Sequence, residues 1–202
     1  NTTRGPLAVS LTVLGDVVPG GALLRSGARP GDDVWVSGPL GDAGWALAAL
    51  MQDRALAGDF AVSATPAQID KYEAPTARVA LGCDLRGIAT SCIDISDGLL
   101  SEARHVATAS GVGIDIYLSA IPTSIADMSM RDVWAEASQL QAHATTADFA
   151  RLTHALAAQR CVLNTGDAYE LLFTAPPAQR SAVEALFVRH QLAGARIGFV
   201  TP

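Results

Sequence analysis

The stretch TSCIDISDGLL, residues 90–100, predicts a buried strand that passes directly into a helix. Because side chains alternate between the two faces of a strand, Asp94 and Ser96 share one face while Ile93 and Ile95 take the other. Asp97 and the glycine after it then turn the chain, and apolar residues follow at helical spacing. Polar side chains are therefore grouped where the strand ends and the helix begins.

Two interpretations of Asp94, Ser96 and Asp97 are open at this point. Two carboxylates and a hydroxyl at a strand end, beside a helix N-terminus, suit a hard cation and a phosphate. Alternatively, Ser96 or Asp97 only caps the helix, with its side chain accepting a hydrogen bond from the first turn. The local pattern alone favours the cap.

The overall composition narrows the class of protein. The chain of 202 residues is 50% hydrophobic with 5% aromatic residues, which suits a helix-and-sheet core of Ala, Val and Leu. A net charge of -6 without a run of Lys or Arg argues against nucleic-acid binding. No apolar run is long enough to span a membrane. The three cysteines, Cys83, Cys92 and Cys161, are expected to be buried free thiols of a cytoplasmic protein.

Strands and helices are predicted to alternate along the chain, without an internal repeat or a low-complexity linker. This alternation predicts an α/β (α+β) fold, with helices packed on a mixed β-sheet. Strands are predicted at 7–14, 33–37, 90–96, 112–118, 169–175 and 195–201. Helices are predicted at 43–51, 66–72, 75–85 and 99–111, and from residues 146 and 177 onward.

A glycine-rich turn, GPLGDAG at residues 38–44, lies between a predicted strand and a helix. Such a turn can cradle a phosphate on its backbone N–H groups, but this one lacks the Gly-Lys-Ser/Thr ending of a P-loop. Glycines that permit a tight turn and close helix packing are at least as good an explanation. Arg78, in the first turn of the predicted helix 75–85, is expected to be solvated.

The polar groups at the strand ends suit phosphoryl transfer better than nucleophilic hydrolysis. No Gly-x-Ser-x-Gly elbow is present and no histidine neighbours a loop serine, which argues against a Ser-His-Asp hydrolase. Glycosidase-type paired carboxylates stay open, although no sugar-binding aromatic cluster supports them. Phosphoryl transfer requires acids for Mg²⁺ and a cationic side chain, and Arg25, residues 94–97 and residues 166–167 supply both.

Four stretches together resemble the thiamine-monophosphate kinase family, within the superfamily that includes aminoimidazole ribonucleotide synthase. They are TTRGPL (2–7), LRSGARPGD (24–32), IDISDGL (93–99) and GDAYELLFT (166–174), with PTAR (75–78) between the second and third. The resemblance implies a fold like the C-terminal domain of aminoimidazole ribonucleotide synthase. It also implies direct transfer of the γ-phosphoryl group of ATP to thiamine monophosphate, with Mg²⁺, by a two-domain homodimer.

Carried over residue by residue, the resemblance implies that Asp94 and Asp97 are Mg²⁺ ligands, that Arg25 and Ser96 contact ATP, and that Asp167 binds the substrate. No residue is assigned as catalytic. The resemblance further implies that residues 1–20 are the last strand region of a mostly absent N-terminal ATP-binding domain. Residues 21–202 would then be the C-terminal domain without its final segment. The chain alone is therefore expected to lack kinase activity.

Two other interpretations of the chain stay open. The first is that it is another ATP-using member of the superfamily, such as aminoimidazole ribonucleotide synthase, selenophosphate synthase or the hydrogenase-maturation type. The YELLF stretch at 169–173 and the Arg25 loop favour the kinase over these. The other is a non-catalytic, degenerate binding or assembly domain. Asn1 and Ala168 favour it, because each stands where the family motif carries an acid.

Overall fold

The computed structural model describes residues 11–51, 63–125 and 146–202. In the helix that begins at residue 146, side chains are described from residue 155 onward. The strands are β1 (Asp33–Val36), β2 (Ser91–Asp94), β3 (Gly113–Ile116), β4 (Leu171–Ala175) and β5 (Ala195–Thr201). The α-helices are α1 (Asp42–Met51), α2 (Pro66–Glu73), α3 (Val79–Asp84), α4 (Leu99–Ser110), α5 (Thr146–Asn164) and α6 (Arg180–Arg189). Short 3₁₀ turns cover Leu118–Ala120 and Pro177–Gln179.

The strands form one sheet in the order β2-β4-β1-β5-β3, and each neighbouring pair is antiparallel. The predicted α/β class, with helices packed on a sheet, is confirmed. The predicted mixed sheet is wrong for the described strands. Successive strands joined by helices, such as β1 and β2, do run in the same direction. However, β4 lies between β2 and β1, and β5 lies between β1 and β3. Both run in the opposite direction to the strands beside them, so parallel strands are never neighbours.

Helices cover both faces of the sheet because β1 and β4 carry apolar side chains on both faces. Val34 and Val36 of β1 pack into one core cluster, with residues of α1, α4 and α5. Trp35 points to the opposite face and packs with Phe173 of β4 and with residues of α3 and α6. The sheet is thus the middle of three layers. In the described ranges no helix is long and apolar enough to cross a membrane.

Most predicted elements lie close to the observed ones, and strand 195–201 is found with its predicted bounds. The helix predicted at 75–85 is observed only as α3, because the chain from Pro75 to Arg78 is not helical. Of the strand predicted at 7–14, residues 7–10 lie outside the described ranges. Its described end, residues 11–14, is not in a strand, and Leu11 is 82% exposed there. The predicted domain boundary at residue 20 stays a prediction.

The cysteines are free thiols, as predicted, but only two of them are shielded from solvent. Cys161 is buried and Cys92 half-buried, and burial raises the pKa of their thiols to about 11 and about 12, respectively. Cys83 is exposed, so its predicted burial is wrong. It lies one residue before the end of the short helix α3, and that helix buries only Leu81.

A buried carboxylate, that of Asp33, links β1 to helix α6 and to strand β5. Asp33 is 2% exposed and accepts hydrogen bonds from Arg180 Nε (2.6 Å) and Nη2 (2.8 Å) and from Arg196 Nη1 (3.2 Å). Burial by itself would raise the pKa of Asp33. The hydrogen bonds and charges of Arg180 and Arg196 outweigh burial, so the pKa is lowered from its ordinary value. The ionised form of Asp33 therefore stabilises the fold.

Replacement of Asp33 with Asn is expected to make unfolding less dependent on acid pH. A lowered folded-state pKa contributes stability that is fully present above the unfolded pKa, about 3.9, and is lost as the pH falls through the folded pKa. The stability difference between the natural chain and D33N should therefore be largest near neutral pH and shrink below about pH 4. Urea unfolding from neutral to acid pH measures it, with D115N, at an exposed position on β3, as the control. A difference independent of pH would contradict the assignment.

Candidate functional site

The carboxyl end of β2 presents polar side chains on one side of the chain, as the alternating pattern predicts. Asp94 is exposed, Ile95 is buried, Ser96 is half-buried and Asp97 is exposed. The helix that follows has Gly98 as its N-cap, without a side-chain cap hydrogen bond. The capping interpretation of Ser96 and Asp97 is therefore wrong, and the Asp97 carboxylate does not serve the first turn of α4.

The turn from strand to helix depends on a glycine. Gly98 has a φ of +118°, a conformation that side-chain-bearing residues rarely adopt. A Cβ at this position would lie 2.9 Å from the carbonyl carbon of Asn164, at the end of α5. The close approach of these two backbones brings the loop after α5 against the loop after β2.

Backbone hydrogen bonds then join the two loops. Asp167 N donates to Ser96 O (3.0 Å), Tyr169 N to Ile95 O (2.9 Å) and Ile95 N to Glu170 O (2.8 Å). A Cβ on Gly166 would collide with the carbonyl oxygen of Ser96, so this contact also requires glycine. The structure therefore places Asp167 beside Ser96, although the two residues are far apart in sequence.

The negative charges of Asp94, Asp97 and Asp167 all affect the hydroxyl group of Tyr169. Tyr169 Oη donates to Asp167 Oδ1 (3.2 Å). Burial raises the pKa of Tyr169, and the negative charge of Asp167, the hydrogen bond to it and the charges of Asp94 and Asp97 raise it further. Asp167 and Tyr169 also have positive φ angles, 60° and 48°. Such strained backbone in non-glycine residues is concentrated at functional sites.

Arg25 lies on a segment that follows the outer edge of the same strand. Leu24 O accepts a hydrogen bond from Cys92 N of β2 (2.8 Å), and a Cβ on Gly27 would lie 2.5 Å from Thr90 O. The Arg25 side chain is exposed, and no ion pair is found for it among the described residues. The structure thus brings Arg25 to the strand that carries Asp94, without a contact between their side chains.

A buried ion pair fixes the far end of the Asp167 loop, and sequence reasoning missed it. Glu170 is 3% exposed and accepts from Arg78 Nε (2.8 Å), Arg78 Nη2 (2.5 Å) and Ser37 Oγ (2.5 Å). The hydrogen bond to Glu170 raises the pKa of Arg78, against the opposing effect of burial. The prediction of a solvated Arg78 is therefore wrong. An acid at the start of an apolar strand, YELLF, was the available signal, because a buried carboxylate needs a partner.

The glycines of the turn at 38–44 allow neighbouring side chains to pack closely against its backbone. A Cβ on Gly38 would lie 2.7 Å from Glu170 Oε1, and a Cβ on Gly44 would lie even closer to Thr165 Oγ1. Asp42 in the same turn is buried, and its carboxylate accepts from Lys71 Nζ at 3.0 Å and from Ser124 Oγ at 2.6 Å. The packing interpretation therefore accounts for the turn.

An open pocket of about 340 Å³ adjoins Asp97. Its lining comes from the loop before α4, from α4 itself and from the end of α5: Asp97, Leu100, Ser101, Arg104, Leu163 and Asn164. In the ranges that the structure describes, no group of three or more His, Cys, Asp and Glu side chains is placed to hold a metal ion. The carboxylates at the end of β2 are hard oxygen donors that suit Mg²⁺, but a cation there would need additional ligands.

Residues 29–202 match the family model described as AIR synthase related protein, C-terminal domain. A thiamine-monophosphate kinase of Salmonella typhimurium is 38% identical over 186 residues, which cover 91% of this chain and 49% of that protein. A crystal structure of thiamine-monophosphate kinase from Stenotrophomonas maltophilia K279a matches with 34% identity and a TM-score of 0.69, covering 92% of this chain and 52% of that one.

A structure of AaThiL complexed with AMPPCP and TMP matches with 28% identity and a TM-score of 0.58. That match covers 89% of this chain and 48% of that one. The chain thus spans about half the length of the relatives that it matches. The resemblance to thiamine-monophosphate kinases that the four sequence motifs indicate is confirmed.

Replacement of Arg78 with Met is expected to lower the free energy of unfolding by about 3 kcal/mol, because it leaves the Glu170 carboxylate buried without its cation. R86M is the matched control: Arg86 is exposed, and its Nε donates only to Cys83 O (2.9 Å), so we expect a change within about 0.5 kcal/mol. Urea unfolding measures both variants. Equal effects would show that the Arg78–Glu170 pair contributes no more than a surface contact.

Replacement of Asp167 with Asn should lower the pKa of Tyr169, because it removes the nearest negative charge and replaces a carboxylate acceptor with a neutral amide. NMR of the chain labelled with ¹³C at the tyrosine Cζ atoms follows the titration directly. In D115N, which changes an exposed acid on β3, the Tyr169 titration should be unaltered. If D167N titrates like the natural chain, Asp167 and Tyr169 do not interact as described.

Proposed function

The chain belongs to the family of AIR synthase related proteins, whose C-terminal domain spans residues 29–202, and from this premise we propose that it is part of a thiamine-monophosphate kinase. The reaction would transfer the γ-phosphoryl group of ATP to thiamine monophosphate. The names of the relatives support this proposal, as does the related structure complexed with AMPPCP and TMP. The observation that carries it is the joining of the two loops by backbone hydrogen bonds, which brings Asp167 to the strand end that holds Asp94 and Asp97.

We assign Asp94 and Asp97 to Mg²⁺. Both are exposed carboxylates at the end of β2, and Mg²⁺ in phosphoryl-transfer sites is commonly held by one or two carboxylates together with substrate phosphates. Asp94 and Asp97 would hold the ion, whose positive charge would offset the charge that develops during in-line transfer. The two aspartates would orient the metal–nucleotide complex against the sheet edge.

Ser96 and Arg25 are assigned to ATP. Ser96 lies between Asp94 and Asp97 in sequence, and its hydroxyl donates to Glu102 Oε1 (3.2 Å). On nucleotide binding, this hydroxyl would donate to a phosphate oxygen instead. Arg25 is exposed beside β2 and makes no ion pair with other described residues, so its guanidinium is free to pair with phosphate oxygens. Its charge would offset the repulsion between the phosphates and the neighbouring acids.

Asp167 is assigned to the acceptor substrate. Its carboxylate is held by the Tyr169 hydroxyl, and thiamine carries a positively charged thiazolium ring that such a carboxylate would attract. The tyrosine ring, 38% exposed, offers an aromatic surface beside that charge. For the whole protein we propose a cytoplasmic homodimer. Because the chain spans about half the length of its relatives, we do not expect turnover by this chain alone.

Calorimetric titration of this chain with Mg²⁺ and the non-hydrolysable ATP analogue AMPPNP tests the nucleotide assignment. D94N and D97N should each weaken binding by about tenfold or more, since each removes a charged ligand of the metal. Chelation of Mg²⁺ should have a similar effect, whereas D115N should bind like the natural chain. Absence of binding, or equal weakening in D115N, would contradict the assignment. A coupled assay that shows thiamine diphosphate formation by this chain would refute the expected lack of turnover.

A further inference from the structure

We propose that Glu102 is a positioning residue that holds the backbone of Ser96 and Asp97 in the binding geometry; this inference rests on the proposed function of that loop. Glu102 lies in the first turn of α4 and is 2% exposed. Its Oε1 atom accepts hydrogen bonds from Asp97 N (3.0 Å), Ser96 N (3.3 Å) and Ser96 Oγ (3.2 Å). One carboxylate oxygen therefore gathers three donors of the site loop.

The contacts of Glu102 extend further back than those of a capping box. A capping-box Glu at the third helical position accepts from the N–H of the N-cap residue. Glu102 lies one position later and reaches past the N-cap, Gly98, to the N–H groups of Asp97 and Ser96. Its negative charge also lies in the first turn, where the helix dipole stabilises it. Hydrogen bonds from N–H groups to a carboxylate are stronger than those between neutral groups. The loop is thus tied to the rigid start of the helix.

Glu102 completes the restraint on Ser96 from the side opposite the Asp167 loop. The Ser96 carbonyl oxygen accepts from Asp167 N, and the Ser96 amide donates to Glu102. With the backbone fixed at both points, the Asp97 carboxylate is left exposed for a ligand. A binding group held in this way loses less conformational entropy when the ligand binds.

The Glu102 carboxylate also destabilises the fold, because one of its two oxygens is buried without a hydrogen bond to any described residue. Within the described part of the chain, Glu102 Oε2 is buried without a hydrogen-bond partner. An unsatisfied buried acceptor destabilises a fold, and a fourth acid near Asp94, Asp97 and Asp167 adds repulsion. A residue whose role was only to fill this space would not require a charge. Its contribution is the set of bonds to Ser96 and Asp97.

Hydrogen exchange of the ¹⁵N-labelled chain tests the inference without any ligand. In E102A the Ser96 and Asp97 amides should exchange about tenfold faster or more, while the β4 amide of Phe173 keeps its protection. E102Q retains an acceptor oxygen of the same reach and should restore most of the protection. E73Q changes an exposed acid at the end of α2 and should leave all three amides unaltered. Mg²⁺–AMPPNP should bind about tenfold more weakly to E102A than to E102Q.

Unchanged exchange at Ser96 and Asp97 in E102A would overturn the positioning role. Equal loss of protection at Phe173 would also overturn it, because Glu102 would then stabilise the whole fold. If E102A does not fold, E102D decides: its shorter side chain should release the same two amides, and full protection in E102D would refute the inference. Failure of the natural chain to bind Mg²⁺–AMPPNP would contradict the proposed function, and the exchange data would still decide the role of Glu102.

Discussion

The site depends on a close approach between two stretches of backbone, the loop after β2 and the loop after α5. Gly98 and Gly166 permit it, since a Cβ on either would meet the backbone of the opposite loop. Three backbone hydrogen bonds then hold the loops together. Backbone contacts of this kind do not depend on the charges of the side chains, so they can hold acids near one another that would otherwise separate.

Holding acids together has an energetic cost that other contacts offset. The raised pKa of Tyr169 reflects the field of Asp94, Asp97 and Asp167 after the larger effect of burial. Strain adds to this cost, because Asp167 and Tyr169 have positive φ angles. The Glu170–Arg78 pair anchors the loop one residue beyond Tyr169, at the start of β4. Stability is thus concentrated beside the site, and the site itself stays strained and negatively charged.

Much of the fold was predictable because strand and helix periods were clear, as in strand 195–201. The strand order was not predictable, since no local pattern tells that β4 inserts between β2 and β1, and β5 between β1 and β3. Of the site, Asp94, Ser96, Asp97 and Asp167 were predicted, and the structure brings them together. Two contacts were missed. Arg78 and Glu170 are 92 residues apart, so no local pattern joins them. Glu102 is only six residues from Ser96, but the helical pattern does not show that its side chain turns back to the Ser96 backbone. Glu102 in sequence is an ordinary polar residue near the start of a helix.

The exposure of the acids has a consequence for how a metal would bind. Asp94 and Asp97 face solvent, and the described residues contain no group of three metal-binding side chains. Two carboxylates alone leave most positions around Mg²⁺ to water, and Mg²⁺ gives up its water reluctantly. Nucleotide phosphates would supply further ligands and, with Arg25, balance the charge. Under the proposed function, the two exposed carboxylates would therefore capture a metal–nucleotide complex in preference to the free ion. Affinity for Mg²⁺ and affinity for nucleotide would then be coupled, each raising the other by the same factor.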